Sequence, residues 1–421
     1  MRFSAILATT VALLVSPILG SPTIALVDID KYNGKIKQGS YIVTLKSDVS
    51  KTAYLNWLSQ HIGTDNVTHT EWNPAVLNGF AGTFSTDTLN LLRSSPDVKS
   101  ISEDGIMSIR TIQTDAPWGL ARLSTDAKLT NQDANALTFT YKFNSAAGSG
   151  VDIYIIDTGI FLGHSDFGGR AKWGATFGGY PDEDGNGHGT HVSGTAAGNQ
   201  FGVAKSASLI AVKVLDDDGS GFVSDIISGL DFVMTSVQSS GRPSVASMSL
   251  GGGAFTPLDN AVESLTNAGI HVTVAAGNDH ADAGDTSPAR VPSAITVAAM
   301  DISDSAAGFS NFGAVVDLYA PGVNIISAGI EDPDSIAIFD GTSQVRLSGF
   351  DESRSHVELI TPLLCDIQAT PHVAGLVAYF ISVNGNKSPA AMSTFLQTIS
   401  VKGALSGIPD GTVNDLARND Q

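Results

Sequence analysis

Residues 151–159 read VDIYIIDTG, and the reading of this stretch decides the fold. A short apolar run rich in β-branched and aromatic residues, closed by Asp-Thr-Gly, fits a strand buried on both faces. Similar runs follow at Leu209–Val214, Ser244–Leu250, His271–Ala276 and Ala294–Ala299. Between them, Ser224–Gln238 and Pro257–Ala268 carry helical periodicity, with caps expected at Ser224 and Thr256. Buried strands alternating with helices predict an α/β fold: a mostly parallel central sheet covered by helices on both faces. In such folds the working groups collect at the carboxyl ends of the strands. Asp157 stands at one such end.

The chain upstream has a different texture. Residues 39–47 read as a strand, 51–62 as an amphipathic helix, 79–84 as a strand, 86–94 as a helix and 98–109 as a last strand. This order predicts a small α+β module. The domain reading is therefore residues 1–20, 21–110 (core 39–109) and 111–421. Residues 1–20 carry Arg2 and then an apolar run broken by Pro17, the pattern of a secretory signal peptide and not of a membrane span. Asn66-Val67-Thr68 is a glycosylation sequon; Asn386-Lys387-Ser388 is another, followed by Pro389.

The 421 residues are 42% hydrophobic, enough for a large core, with a formal net charge of −19. That charge repels phosphate, so nucleic acid and acidic lipid surfaces are poor partners. Cys365 is the only cysteine, which leaves a secreted protein without an internal disulfide. A monomer is expected.

Four short motifs carry candidate chemistry. Asp157 precedes Thr-Gly; alone it is a turn residue as readily as a carboxylate that orients a histidine. In Asp184–Gly194, DGNGHGTHVSG, glycines flank His188 and permit close approach. His191 is one turn on, but the glutamate of the zinc pattern is missing, so a general base fits better than a metal ligand. Val274–Asn278, VAAGN, places an amide where it could donate to an oxyanion, or simply close a turn. Asp340–Ser343, DGTS, offers a hydroxyl that needs a base to become a nucleophile. The order Asp…His…Ser is one of the three known chain orders of the serine hydrolase triad.

The chain resembles the subtilase family, its proteinase K-like group and the secreted fungal alkaline proteases. The resemblance is carried by IIDTGI (155–160), DGNGHGTHVSGT (184–195), GVAKSASLIAVKVLDDDGSG (202–221), SMSLGGG (247–253), VAAGN (274–278), FSNFG (309–313), APGV (320–323), and GTS (341–343) with ATPHVAG (369–375). Residues 39–109 are similar to the family's inhibitory propeptide. The resemblance implies a secreted serine endopeptidase made as a self-inhibited, autoprocessed zymogen, with no catalytic cofactor. It implies that Ser343 attacks, His188 transfers the proton, Asp157 orients the imidazole, and Asn278 holds the oxyanion. Protein or peptide substrate would pair with rims at Gly219, Ser220, Gly221 and at Ser249–Gly252. Leu250, Gly251, Gly252, Ala275, Ala276 and Gly277 would line a pocket for a hydrophobic or aromatic residue on the acyl side. The exit segment Gly105–Thr114 would lie in the cleft before self-cleavage. Asp317, with the carbonyls of Pro292 and Ala294, matches a family calcium site; the other reading is a strand-end aspartate.

One departure stands out. The family runs its GTS and ATPHVAG motifs almost together, whereas here Gln344–Gln368 separates them. The segment brings Arg346, Asp351, Glu352, Arg354 and Glu358 to the start of an expected buried helix, a costly place for charge. Val345–Gln368 reads as a translated intron. If the insert is real, the alternative is a catalytically impaired pseudoenzyme or binding protein.

Overall fold

The computed structural model describes residues 26–32, 36–62, 69–105, 110–339, 359–360 and 368–420. Residues 1–20, the Asn66 sequon, Ser343, Cys365 and nearly all of the insert lie outside the described residues. The chain divides into two compact units, one ending at Ser108 and one beginning at Ile109.

In the first unit five strands form one sheet, ordered Ile29–Asp30, Val98–Gly105, Ile36–Leu45, Gly79–Thr83 and His69–Glu71. All its pairings are antiparallel except that of the first two strands. Helices Lys51–His61 and Thr86–Ser94 each begin after a serine whose hydroxyl accepts a backbone N–H two residues into the helix, Ser50 from Ala53 and Ser85 from Thr88. Val43, Leu45, Tyr54, Leu58, Phe80, Leu92 and Ile101 make its core.

The second unit is built on nine strands. Their order is Val401–Lys402, Asp415–Leu416, Leu318–Pro321, Ile295–Met300, His271–Ala275, Ser244–Met248, Asp152–Asp157, Ser208–Lys213 and Ala171–Thr176. Every pairing is parallel except that of the two C-terminal strands. The period of two sorts the side chains between two cores. Ile153, Ile155, Leu209 and Ala211 pack with helices His188–Ala197 and Ala369–Asn384. Tyr154, Ile156, Ile210 and Val212 pack with Val223–Ser240 and Thr256–Asn267. The expected α/β architecture is thus the observed one.

The expected caps are displaced. Phe222 and Phe255 hold the N-cap positions, without side-chain capping bonds, and Ser224 and Thr256 are already helical. The last strand of the first unit ends at Gly105. Beyond it, Arg110–Ala116 pairs antiparallel with Phe139–Asn144.

Helices His188–Ala197 and Ala369–Asn384 pack closely through glycine. A Cβ on Gly375 would come within 2.6 Å of the Ala196 carbonyl oxygen and 2.7 Å of Val203 Cβ. Gly375→Ala is expected to cost about 1–3 kcal/mol by overpacking, read as a lowered midpoint of thermal unfolding.

Candidate active site

Asp157 ends the strand Asp152–Asp157 and is fully buried. Its Oδ1 accepts from the Thr158 N–H at 2.7 Å and faces His188 Nδ1 at 2.7 Å. His188 is the first residue of its helix and is also buried. Gly187 before it holds φ at +95°, a conformation glycine takes without strain. A Cβ on Gly189 would stand 2.1 Å from the Gly159 carbonyl, so only glycine lets the helix start lie against the strand end. With Nδ1 held by the carboxylate, Nε2 is the ring atom left to work. No described residue bonds it, and Ser343 lies outside the described residues.

His191 has a different fate. Its Nε2 meets the Ile325 carbonyl at 2.8 Å and its Nδ1 meets the Gln368 amide at 2.6 Å. Burial pushes its pKa down to about 3, so the ring is neutral and carries one N–H. That proton goes to Ile325, and the Gln368 amide must turn its NH₂ toward Nδ1. Both nitrogens are used, which removes the two-histidine metal reading. Phe339 stacks on His191 with ring centroids 4.4 Å apart, and on His188 at 6.4 Å.

The strands Ser244–Met248 and His271–Ala275 are parallel neighbours, so the stretches beyond them emerge side by side. Leu250, Ala275 and Ala276 are buried there; Gly251, Gly252 and Gly277 are half-buried. Asn278 is buried at the end of its loop. Asn311 shapes this loop. Its amide donates to the Ala276 carbonyl at 3.0 Å and accepts from Asp279 N–H at 2.9 Å and Ala281 N–H at 3.0 Å. Its own N–H donates to the Gly277 carbonyl at 2.9 Å. Asn311 stands within FSNFG, where the sequence alone assigns it no role; its burial, which marks it, belongs to the folded chain.

Gly219-Ser220-Gly221, expected as one rim, is tightened by an Asp216 N–H bond to the Ser220 carbonyl at 2.7 Å. Gly221 and Phe222 pair antiparallel with Ile360 and Leu359 of the insert. On the other side Ser249 is fully buried, and the edge is Gly252–Gly253, paired with Thr286–Ser287. Of the expected exit segment Gly105–Thr114, residues 106–109 lie outside the described residues and Gly105 ends a strand of the first unit, while Arg110–Thr114 is paired with Phe139–Asn144 and with neither rim, a correction to the expectation for residues 110–114. It finds hydrogen-bonding partners in a strand of its own unit.

Asp317 lies just before the strand Leu318–Pro321. Its Oδ2 accepts from the Thr296 N–H at 2.8 Å, and its Oδ1 from Gln397 Nε2 at 2.6 Å, with Ser393 Oγ at 3.5 Å. Burial raises its pKa to about 6, against the pull of these donors. Calcium takes ~6–8 oxygen ligands. Here hydrogen donors occupy the carboxylate, and among the described residues no group of three His, Cys, Asp or Glu gathers for a metal. The expected calcium ligands are this one carboxylate and the backbone carbonyls of Pro292 and Ala294, an oxygen set of the kind calcium takes.

A parallel sheet with a buried carboxylate–imidazole couple at its carboxyl edge is the build of a serine hydrolase. Residues 148–416 match the Subtilase family, and residues 40–110 match Peptidase inhibitor I9. The alkaline serine protease ver112 of Corniculantispora psalliotae is 41% identical, covering 100% of this chain and 99% of its own length. The cuticle-degrading protease of Metarhizium anisopliae is 40% identical over 90% of this chain and 89% of its own length. Among solved structures, a cold adapted subtilisin-like serine proteinase matches with a TM-score of 0.60 at 38% identity, over 72% of this chain and 98% of that one. The chain belongs to the subtilase family of serine endopeptidases, with a Peptidase inhibitor I9 propeptide ahead of its catalytic domain.

Gln397→Leu, which strips the short donor from the buried Asp317 carboxylate, is expected to lower the midpoint of thermal unfolding; an unchanged midpoint would contradict this.

Proposed function

We propose that the chain is a secreted endopeptidase of broad specificity, made as a zymogen and cleaved from its own propeptide. The observation that carries this reading is the buried 2.7 Å contact of His188 Nδ1 with Asp157, which leaves Nε2 to serve a hydroxyl. Ser343 is the nucleophile: His188 takes its proton during attack on the scissile carbonyl and returns it to the leaving amine. Asp157 fixes the tautomer and stabilises the imidazolium. Asn278 and the Ser343 N–H hold the oxyanion. Small uncharged residues at 250–252 and 275–277 support a preference for hydrophobic or aromatic acyl-side residues. Discrimination is loose, since one methylene is worth only ~1–3 kcal/mol. Residues 1–20 direct export, and relatives named as alkaline and cuticle-degrading proteases support an extracellular protein substrate.

Casein hydrolysis, blocked by a serine-directed acylating reagent, tests the reading. Ser343→Ala or His188→Ala is expected to lower kcat by about 10⁶-fold, and Asp157→Asn by about 10⁴-fold. Full activity in Ser343→Ala would remove Ser343 as nucleophile.

A second reading is favoured by the pairing of Leu359–Ile360 with Gly221–Phe222. A chain that retains its insert places its own segment on a substrate rim and is catalytically impaired. Deleting Val345–Gln368 is then expected to raise kcat/KM and to restore reaction with the acylating reagent. Equal activity of the two forms would refute the impairment. A transcript without the segment would show that it never reaches the protein.

A further inference from the structure

Asp184 lies four residues before His188 and has no contact with its imidazole, yet both sides of the Asp157–His188 couple are tied to it. Asp184 is buried, 7% exposed. Its Oδ1 accepts from Thr158 Oγ1 at 2.8 Å, from the Gly187 N–H at 2.9 Å and from the Asn186 N–H at 3.3 Å. Its Oδ2 accepts from the Thr190 N–H at 2.9 Å and from Thr190 Oγ1 at 2.5 Å. Thr158 directly follows Asp157, and its Oγ1 also accepts from the Gly189 N–H at 3.0 Å. Gly187 directly precedes His188 and Thr190 lies two residues after it.

Two separate needs meet in this carboxylate. The helix begins with Gly187 as its N-cap, which has no side chain to accept the free N–H groups of the first turn. Asp184 reaches that turn from three residues upstream and accepts the Thr190 N–H, placing negative charge at the positive end of the helix. The strand end is held through the Thr158 hydroxyl. A carboxylate only accepts, and five donors converge on its two oxygens. An amide would have to turn its NH₂ toward donors, leaving buried groups unpaired.

We propose that Asp184 is a positioning residue for the reaction: it sets the distance between the strand end bearing Asp157 and the helix start bearing His188. This deepens the proposed function and rests on His188 as the base. A bracket of this kind acts on the geometry of proton transfer and leaves substrate binding alone.

The test compares Asp184→Asn and Thr158→Val with the unaltered sequence, in the full chain and in the chain lacking Val345–Gln368. Asp184→Asn is expected to lower kcat by about 100-fold, the scale of a small misplacement of a catalytic group, with KM changed less than about 2-fold. Thr158→Val keeps the shape, cuts the strand-side tie to Asp184 and also leaves the Gly189 N–H without its acceptor, and is expected to cost about 10-fold on the same scale. In both, a looser carboxylate contact favours the imidazolium less, so the acid limb of the kcat/KM profile moves to lower pH. The low-field proton resonance of the His188 Nδ1–H···Asp157 bond is expected to weaken or vanish. That resonance needs neither Ser343 nor turnover. If the unaltered protein shows the resonance but no hydrolysis, the function reading fails while the bracket is still tested. Folded variants with unchanged resonance, acid limb and kcat would overturn the proposal. Should Asp184→Asn not fold, the same null result in Thr158→Val alone would overturn it.

Discussion

The contact between His188 Nδ1 and Asp157 Oδ1 joins the end of a strand to the start of a helix that lie thirty-one positions apart in the chain. Neither group is at ease there. A carboxylate and an imidazole with almost no exposure gain from one another only if their spacing is held by groups that cannot relax. Much of the local sequence serves this end. Gly189 has no Cβ because the Gly159 carbonyl stands in its place. Lys213, fully buried, donates to the Thr158 carbonyl at 2.6 Å and to Asp217 at 2.8 Å, closing the far side of the same turn.

The sheet was legible because its signal is a pattern that many residues repeat. VDIYIID is apolar on both faces and helical stretches stand between such runs, so a parallel sheet covered on both sides follows from the order of the elements. Helix starts were less legible. Serine at 224 and threonine at 256 have the chemistry of caps, but Phe222 and Phe255 hold the positions because tertiary packing set the chain direction there. In the first unit, where Ser50 and Ser85 lie at the surface entry of short helices, side-chain capping does occur. Local propensity governs where packing leaves it a choice.

The candidate site divides in the same way. Asp157 and His188 are legible as a pair because each stands in a motif whose glycines announce close approach. Asp184 and Asn311 are not, because their role is to accept or donate to backbone groups, and a backbone group has no letter in the sequence. Their signature is a buried polar residue beside a turn that lacks its own cap, and burial is visible only once the chain is folded. His191 shows the reverse hazard. Two histidines one turn apart invite a metal reading, but its ring spends both nitrogens on Ile325 and Gln368. The Asp317 carboxylate likewise takes a partner from far off in the chain: Gln397, eighty positions on, donates to its Oδ1.

The rims add a constraint of their own. A strand edge carries backbone donors and acceptors that must find partners, from water or from another strand. At Gly252–Gly253 the chain supplies Thr286–Ser287 as an antiparallel partner. At Gly221–Phe222 the partner among the described residues is Leu359–Ile360, from the segment that separates Ser343 from its helix. An enzyme that binds extended peptide needs such an edge open, because main-chain pairing is what lets it accept many sequences. The same physics makes the edge indifferent to the origin of the strand. Any extended piece of the chain tethered nearby competes at high effective concentration with substrate arriving from solution. An interruption at this point in the sequence therefore acts on two things at once: the link from the proposed nucleophile to the helix Ala369–Asn384, and the edge Gly221–Phe222 proposed as a substrate rim.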